Sequence, residues 1–251
     1  MARALALSGR GQSGYEVVDE LTARLACARL AELGRARAAG DDTPFMMQVG
    51  FILPHCPFVA RPADYDRFAG RIGPPRLAPP AREHPWVARW RAEGCTEGDS
   101  PGGVLRARTA YWGLVHALDR RIGQVLAALR DAGLCDNTLI VYASDHGEHA
   151  GERGLWWKNT MFEESAGIPL ILAWPGRLPE GARCDRVVNL IDVGATLIDA
   201  AGAPPLPRSH GRSLLGIAPR SRRALAGRDL LRIRHRHRLG LDRARAHHPA
   251  L

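Results

Sequence analysis

The chain has 251 residues, 45% of them hydrophobic and 24% charged, and a formal net charge of +9. These values are typical of a soluble globular protein of one large or two small domains, and no apolar run approaches the ~18 residues of a membrane span. The five cysteines lack paired spacing and the first residues lack a secretory signal, so the sequence excludes a disulfide framework and predicts a cytoplasmic protein.

The first part of the chain predicts a helix followed by a strand. Residues 1–14 have no periodic pattern, whereas the apolar residues over 15–33 keep helical spacing. The apolar run 44–52 predicts a buried strand, and His55 follows its carboxyl end. Because open α/β sheets bind their ligands beyond the carboxyl ends of strands, His55 is the first candidate site residue.

The middle of the chain combines a long loop region with the best-defined helix. Residues 59–104 are rich in proline, arginine and tryptophan, which predicts irregular structure apart from a short helix near 86–92. These loops are either functional or passive, and the sequence favours neither interpretation. One apolar stripe then runs along 105–132 and predicts an amphipathic helix that ends at Gly133.

A polar motif follows the next strand. The run 138–143 predicts a strand buried on both faces, and Asp145-His146-Gly147 comes directly after it. Taken singly, Asp145 would more often cap a helix and His146 would fill a core. Side by side at the end of a strand, a carboxylate and an imidazole predict part of a divalent-metal site.

Lys158 is the only lysine in a chain with 34 arginines. Arginine offers a planar fork, whereas the lysine ammonium is a compact point charge that can bind a tetrahedral anion beside a metal. Lys158 follows His146 by twelve residues, so we predict that it belongs to the same site. The alternative is a surface lysine that caps a loop.

The remaining elements complete an α/β pattern and end in a basic tail. Strands are predicted at 168–174 and 186–188, and a helix at 192–201. Residues 218–251 contain ten arginines and two aspartates, a net charge of +8, but no aromatic residue. Residues 217–251 therefore predict a disordered tail that would bind nucleic acid only non-specifically. Translation of a GC-rich gene out of frame would explain the same composition.

Four motifs in order resemble those of one family. The segment 50–58 resembles the pattern G-F-x-x-P-H-x-P-F, and 145–158 resembles D-H-G-x-x-x-G-E-x-G-x-W-x-K. Residues 162–171 are similar to F-E followed by P-L-I, and 192–215 resembles D-x-x-P-T-L-x-D-x-A-G followed by G-R-S-L-L. These are patterns of the sulfatase family within the alkaline-phosphatase superfamily, with choline-sulfatase-like and iduronate-sulfatase-like branches the most similar.

The resemblance implies a fold, a reaction and a metal. The fold is part of a three-layer α/β/α sulfatase or alkaline-phosphatase-like domain with a mixed sheet, covering residues 15–216. The reaction is hydrolysis of a sulfate ester to an alcohol and sulfate, with a small molecule or a sugar as substrate and no membrane partner. Asp145 and His146 are implied to bind a divalent metal, with Ca²⁺ as the expected ion.

The resemblance also implies roles for three side chains. His55 would protonate the leaving alcohol, which suits an imidazole with a pKa near neutrality. Lys158 would bind a sulfate oxygen, where a fixed cation stabilises the developing charge. His149 is close enough in sequence to contact the substrate, although packing is the commoner role for such a residue.

One part of the family pattern is absent from the chain. The family's nucleophile is a formylglycine made from a Cys or Ser in C-x-P-x-R, and no cysteine here begins that motif. Asp41-Asp42 lies before the predicted strand 44–52, where it cannot supply metal ligands at a strand end. We therefore expect the carboxyl two-thirds of a sulfatase, with an incomplete calcium site, no nucleophile and no activity alone.

Two other functions remain open from the sequence. A phosphodiesterase or phosphonate hydrolase of the same superfamily would use the same metal, lysine and histidine on another tetrahedral anion. A non-catalytic protein that binds nucleic acid through its basic tail belongs to a different class. The sequence leaves the oligomeric state open.

Overall fold

The structure, a computed structural model, describes residues 5–94, 100–216 and 231–234. The chain divides into two compact units. Unit 1 comprises Met1–Thr138 and Glu148–Thr160, and unit 2 comprises Leu139–Gly147 and Met161–Leu251. In the parts of the chain that the structure describes, no helix combines the length and apolarity that crossing a bilayer requires.

Unit 1 is built mainly from helices. Its elements are, in chain order, β1 (Gly9–Arg10), α1 (Gly14–Ala38), β2 (Val59–Ala60), α2 (Pro62–Asp66), α3 (Pro85–Gly94) and α4 (Pro101–Asp131), with short 3₁₀ helices at Cys135–Asn137 and Glu152–Gly154. The helices predicted at 15–33, 86–92 and 105–132 are confirmed. Ser13 caps α1 by accepting the N–H of Glu16, which fixes the start of that helix.

The core of unit 1 lies along one face of α4. The helices α1 and α4 pack against each other. Five small or branched residues of α4 are buried in a shared cluster with aromatic side chains from the loops: Ala107, Ala110, Leu114, Ala117 and Leu118, with Phe58, Trp156 and Trp157. The loops on either side of α4 are thereby anchored to one rigid helix.

The strand predicted over 44–52 is wrong. Residues 44–52 have no regular secondary structure, although exposure alternates between neighbours over 45–51 as in a strand. No strand among the described residues lies beside this segment to complete a hydrogen-bonded ladder, and a strand cannot form without such a partner. The next strand, β2, pairs in parallel with β1. β1 lies inside the stretch 1–14, which the sequence predicts to be irregular.

Unit 2 contains a four-stranded mixed sheet. Its elements are, in chain order, β3 (Ile140–Ala143), α5 (Glu163–Ala166), β4 (Pro169–Ala173), β5 (Arg183–Cys184), α6 (Leu190–Ala200) and β6 (Leu231–Arg234). The strand order is β3-β4-β6-β5. β4 is antiparallel to both of its neighbours, whereas β5 and β6 are parallel. The predicted α/β class with a mixed sheet is confirmed.

Three details of unit 2 differ from the prediction. β3 is half-buried along its length, not buried on both faces, because it is an edge strand of the described sheet. The short strand predicted at 186–188 lies at 183–184 instead. The helix predicted at 192–201 begins two residues earlier, because Asn189 and Asp192 form a reciprocal capping box there.

The predicted disordered tail contains one described segment. Residues 231–234 form β6 between β4 and β5, inside the stretch 217–251 that the sequence predicts to be disordered. They alternate apolar and basic residues with the period of a strand, and the free edge of β4 offers backbone partners. The rest of 217–251, and with it the predicted nucleic-acid binding, lies outside the described residues.

Candidate active site

His55 lies in a tight turn of unit 1. The turn is closed by a hydrogen bond from the His55 N–H to the carbonyl of Ile52 at 3.0 Å. Asp19 on α1 holds the start of the same turn, because its two carboxylate oxygens accept the N–H groups of Ile52 and Leu53 at 2.8 and 2.9 Å. Asp19 is fully buried, so these charge-assisted bonds are shielded from water.

The structure brings His55 and Lys158 together, although 103 positions separate them in sequence. Lys158 Nζ lies 3.0 Å from His55 Nε2. The other ring nitrogen, Nδ1, lies 2.8 Å from the carbonyl oxygen of Cys56. A carbonyl only accepts hydrogen bonds, so Nδ1 carries a proton and Nε2 accepts from the Lys158 ammonium. The two contacts therefore fix one neutral tautomer of His55.

Lys158 is held in an unusual stretch of backbone. Its two neighbours, Trp157 and Asn159, are non-glycine residues with φ of +62° and +78°. Such left-handed conformations cost on the order of 1–3 kcal/mol and persist only where the surroundings enforce them. Here Glu148 accepts the Trp157 N–H at 2.6 Å, and the Trp86 indole N–H donates to the Asn159 carbonyl at 2.7 Å.

The Cys56 thiol lies beside the pair but is not a ready nucleophile. Its sulfur is 3.8 Å from His55 Nδ1. Burial raises the pKa of the Cys56 thiol, and the negative charge of Glu148 raises it further, although Lys158 opposes the change. Because the thiolate is the reactive form, a raised pKa leaves little of it at neutral pH.

His149 occupies the interior of unit 1. It is fully buried, and its Nε2 lies 2.8 Å from the Thr160 hydroxyl. Its main-chain N–H donates to the Trp157 carbonyl at 2.9 Å. In this position His149 braces the loop that leads to Lys158, which matches the packing alternative of the sequence analysis. Substrate binding by His149 stays a prediction.

Asp145 and His146 form the candidate metal site of unit 2. His146 Nδ1 lies 2.7 Å from the carbonyl of Gly147, so Nδ1 carries the proton and Nε2 has the free lone pair. That Nε2 is 3.7 Å from Asp145 Oδ2. An imidazole oriented by a backbone carbonyl, beside a carboxylate, is a common arrangement for a pair of metal ligands.

Gly147 is required at this turn by a close approach of the backbone. A Cβ at this position would lie 2.2 Å from the carbonyl oxygen of Glu164. The Gly147 N–H also donates to the Ser165 carbonyl at 2.7 Å. Any larger residue would displace the turn that sets the orientation of His146.

The donor types fit a divalent metal, but their number does not complete a calcium site. Calcium binds six to eight oxygen-rich ligands, whereas Asp145 and His146 supply two. The Asp145 side chain is 84% exposed, so a metal bound to it could take further ligands. Among the described residues, no group of three or more His, Cys, Asp and Glu side chains is arranged to hold a metal. Calcium binding therefore stays a prediction.

Sequence reasoning missed Asp19 and Glu148. Both belong to the 26 acidic residues of the chain, and neither is adjacent to His55 or Lys158 in sequence. Their relevance comes from the main-chain groups that return to them, over 33 positions in the case of Asp19 and Ile52. No local pattern reports such a contact.

Comparisons with known proteins agree with the motifs. A family model described as Sulfatase matches residues 13–203. Choline-sulfatase from Rhizobium meliloti (strain 1021) is 35% identical over 189 residues, which cover 73% of this chain and 36% of that protein. Arylsulfatase K from Canis lupus familiaris is 30% identical over 202 residues, which cover 73% of this chain and 37% of that protein.

A solved structure shares the fold. The phosphonate monoester hydrolase from Silicibacter pomeroyi is similar with a TM-score of 0.62 and 28% sequence identity, covering 78% of this chain and 42% of that chain. The chain thus spans little more than a third of the length of the two curated relatives. This share is smaller than the two-thirds that the motifs led us to expect.

Proposed function

This chain belongs to the sulfatase family, and we propose that it serves the hydrolysis of sulfate esters to an alcohol and sulfate. The observation that carries the proposal is the 3.0 Å contact between the only lysine and a histidine of fixed tautomer. The similarity to proteins named choline-sulfatase and arylsulfatase K supports a sulfate ester as the substrate.

Lys158 would bind an oxygen of the sulfate group. Its ammonium has three N–H donors, and the contact with His55 uses one of them. The other two remain for an anion, and their fixed positive charge stabilises the charge that develops on the sulfuryl oxygens in the transition state. The half-buried setting of Lys158 reduces competition from water.

His55 would donate a proton to the leaving alcohol. Since the Nδ1 proton is held by the Cys56 carbonyl, a second proton can bind only at Nε2. That nitrogen accepts from the Lys158 ammonium in the free chain. For His55 to act as the acid, this contact would open when the ammonium binds a sulfate oxygen, and Nε2 would take up from solvent the proton that it then donates to the leaving alcohol. A positioned imidazole acid contributes typically 10²–10⁴-fold to such a reaction.

Asp145 and His146 would hold a divalent metal. A metal bound there would supply positive charge that neutralises an anionic ligand. His146 presents Nε2 because Nδ1–H is held by Gly147, and the adjacent Asp145 carboxylate supplies the negative charge that a hard cation prefers.

The chain alone should not turn over a sulfate ester. None of its cysteines begins a C-x-P-x-R motif, and loss of a covalent nucleophile costs several orders of magnitude in rate. We expect 4-nitrophenyl sulfate to be hydrolysed at the background rate in the presence of calcium. Robust turnover would contradict the proposed division between a binding pair and an absent nucleophile.

Binding tests the proposal without turnover. We expect isothermal titration calorimetry with methyl sulfate to give a dissociation constant in the millimolar range, roughly −4 kcal/mol, because one half-buried cation provides most of the attraction. The matched ligand is methylphosphonate, a tetrahedral anion of similar size. No measurable heat with either anion would refute the proposed role of the pair.

A second candidate function is phosphonate monoester hydrolysis. It is favoured by the similarity to the phosphonate monoester hydrolase from Silicibacter pomeroyi. A lysine ammonium and an imidazole acid suit a phosphonate as well as a sulfate group. Tighter binding of methylphosphonate than of methyl sulfate in the calorimetric experiment would support this candidate over the first.

A further inference from the structure

Asp19 connects the turn of His55 to a long helix. The carboxylate lies on α1 and is fully buried, and both of its oxygens are used on consecutive main-chain N–H groups, those of Ile52 and Leu53. Ile52 in turn accepts the N–H of His55. The position of the His55 imidazole therefore depends on α1 through two hydrogen bonds to Asp19 and one between His55 and Ile52.

Glu148 plays the equivalent part on the other side of the pair. One of its carboxylate oxygens accepts the N–H groups of Ala150 and Trp157, at 2.9 and 2.6 Å. The second of these groups belongs to the left-handed residue directly before Lys158. By joining the two ends of the loop 148–157, Glu148 stabilises the backbone conformation that directs the lysine toward His55.

We propose that Asp19 and Glu148 are positioning residues for the His55–Lys158 pair, each acting through the main chain of the turn that it clamps. The proposal rests on the proposed function, since the pair is what they position. Both carboxylates contact main-chain N–H groups of the turns that carry the pair, so their effect is on the geometry of the 3.0 Å contact.

A purely structural role and a positioning role predict different effects of removing a carboxylate. A carboxylate that only stabilised the fold would lower the free energy of unfolding and leave the folded pair unchanged. Glu148 instead holds a local conformation that the backbone does not adopt by itself, as the φ of +62° at Trp157 shows, and Asp19 holds the two residues at the start of the His55 turn. Their loss should therefore release the pair within a chain that remains folded.

The composition of the chain supplies a specific probe. Lys158 is the only lysine, so acetic anhydride can modify one side-chain amine and the amino terminus, and mass spectrometry resolves the two. The acetylation rate of Lys158 relative to the amino terminus reports how firmly the ammonium is held. Long-range ¹⁵N–¹H spectra report the tautomer of His55, whose signals are assigned by their loss in His55→Gln.

We expect Asp19→Asn and Glu148→Gln to raise the relative acetylation rate of Lys158 about fivefold, which corresponds to ~1 kcal/mol at 1.4 kcal/mol per tenfold change. Glu148→Gln keeps the one accepting oxygen but loses the charge that strengthens both of its bonds. Asp19→Asn loses the charge and also replaces one of its two accepting oxygens with an NH₂ donor. We also expect the single Nδ1–H tautomer of His55 to give way to a mixture of both tautomers.

Two carboxylates outside the loop 148–157 and the turn of His55 serve as matched controls. Asp64 is 2% exposed and pairs with the Arg120 guanidinium at 2.7 Å. Asp192 accepts the N–H groups of Asn189 and Arg212, both at 2.9 Å. Asp64→Asn and Asp192→Asn should lower the thermal unfolding midpoint as much as the test variants do. They should leave the acetylation rate of Lys158 and the tautomer of His55 unchanged.

The outcomes separate this proposal from the proposed function. Unchanged acetylation and an unchanged tautomer in folded Asp19→Asn and Glu148→Gln overturn the clamps, and so does an equal effect in the two controls. If Asp19→Asn is unfolded at room temperature, Asp19 belongs to the fold and its half of the proposal fails, while Glu148→Gln still decides the other half. None of these readouts requires sulfate, so a failure of sulfate binding leaves them intact.

Discussion

Lys158 and His55 share one hydrogen bond, so a change at either residue alters the other. We expect Lys158→Met to weaken binding of methyl sulfate about tenfold or more, ~1.4 kcal/mol, because the anion loses its fixed cation. Lys158→Arg should recover only part of this affinity, since the planar guanidinium cannot occupy the position of a compact ammonium. Calorimetry on the purified chain measures both.

The matched control for this experiment removes a cation elsewhere in unit 1. Arg89 pairs with Glu93 on the exposed face of α3, where such a pair contributes little. Arg89→Met should leave binding of methyl sulfate unchanged. Equal weakening by Arg89→Met and Lys158→Met would mean that net charge, and not the His55–Lys158 pair, attracts the anion.

Glu16 predicts a pH dependence of stability. Burial raises the pKa of the Glu16 carboxyl, although the Arg61 guanidinium at 3.1 Å opposes the change, and Asp64, Arg121 and Arg120 are the other charges that act on it. A raised pKa in the folded state means that the folded chain binds this proton more tightly than the unfolded chain. The free energy of unfolding should therefore fall as pH rises through the raised pKa.

The variant Glu16→Gln tests this sign. Its amide has nearly the same shape but no charge, and Arg61 retains Glu20 as a partner at 2.7 Å. We expect a gain on the order of 1 kcal/mol in the free energy of unfolding at neutral and alkaline pH, and no gain below the ordinary pKa of a glutamate. Urea unfolding at several pH values measures it, and a loss of stability at alkaline pH would contradict the sign.

The sequence singled out Lys158 because it is the only lysine among arginines. It singled out His55 because that residue follows the apolar run 44–52 and lies in a segment that resembles a family motif. The contact between the two side chains could not be predicted, because 103 positions separate them in the sequence. The roles of Asp19 and Glu148 could not be predicted from sequence, because they accept hydrogen bonds from the N–H groups of Ile52 and Trp157, which are not their neighbours in sequence.

At the scale of elements, two of the glycines in α4, Gly113 and Gly123, have opposite environments. A Cβ on Gly113 would lie 2.9 Å from the Cβ of Ala60 and 3.2 Å from the main chain of Asp64, whereas a Cβ on Gly123 meets nothing within 4 Å. We expect Gly113→Ala to cost about 1–3 kcal/mol of stability because the backbones of β2 and α2 must move.

Gly123→Ala is the control in the same helix. It should gain roughly 0.5–1 kcal/mol, because alanine loses less backbone freedom on folding and has room for its methyl group. Thermal unfolding of the two variants measures the difference. A higher unfolding midpoint for Gly113→Ala than for Gly123→Ala would contradict the packing of α4 against β2.

The long helices could be predicted from sequence and the strands only in part. Apolar residues at helical spacing predicted both α1 and α4, because this spacing is local in the sequence. In α4 these residues are largely buried, whereas Val17, Leu21 and Leu25 of α1 are exposed. A strand also needs a neighbour: residues 44–52 have the apolar pattern but no strand beside them among the described residues. β6 shows the converse, since its four residues form a strand where β4 offers an edge.

At the scale of the whole molecule, the chain spans little more than a third of the curated relatives' length. Family membership rests on residues 13–203, and the catalytic activity of this chain stays a proposal. None of the cysteines in this sequence begins a C-x-P-x-R motif, and the inactivity that we predict from this observation is open to experiment.

The same whole-chain composition provides the most direct test of the central claim, which is that the His55–Lys158 pair binds the sulfate group. A chain labelled with ¹⁵Nζ-lysine has one lysine side-chain signal, because it contains one lysine. We predict that sulfate shifts this signal and the ring signals of His55 along one binding curve, while chloride at equal ionic strength does not. A lysine signal that stays unchanged at saturating sulfate would contradict the account.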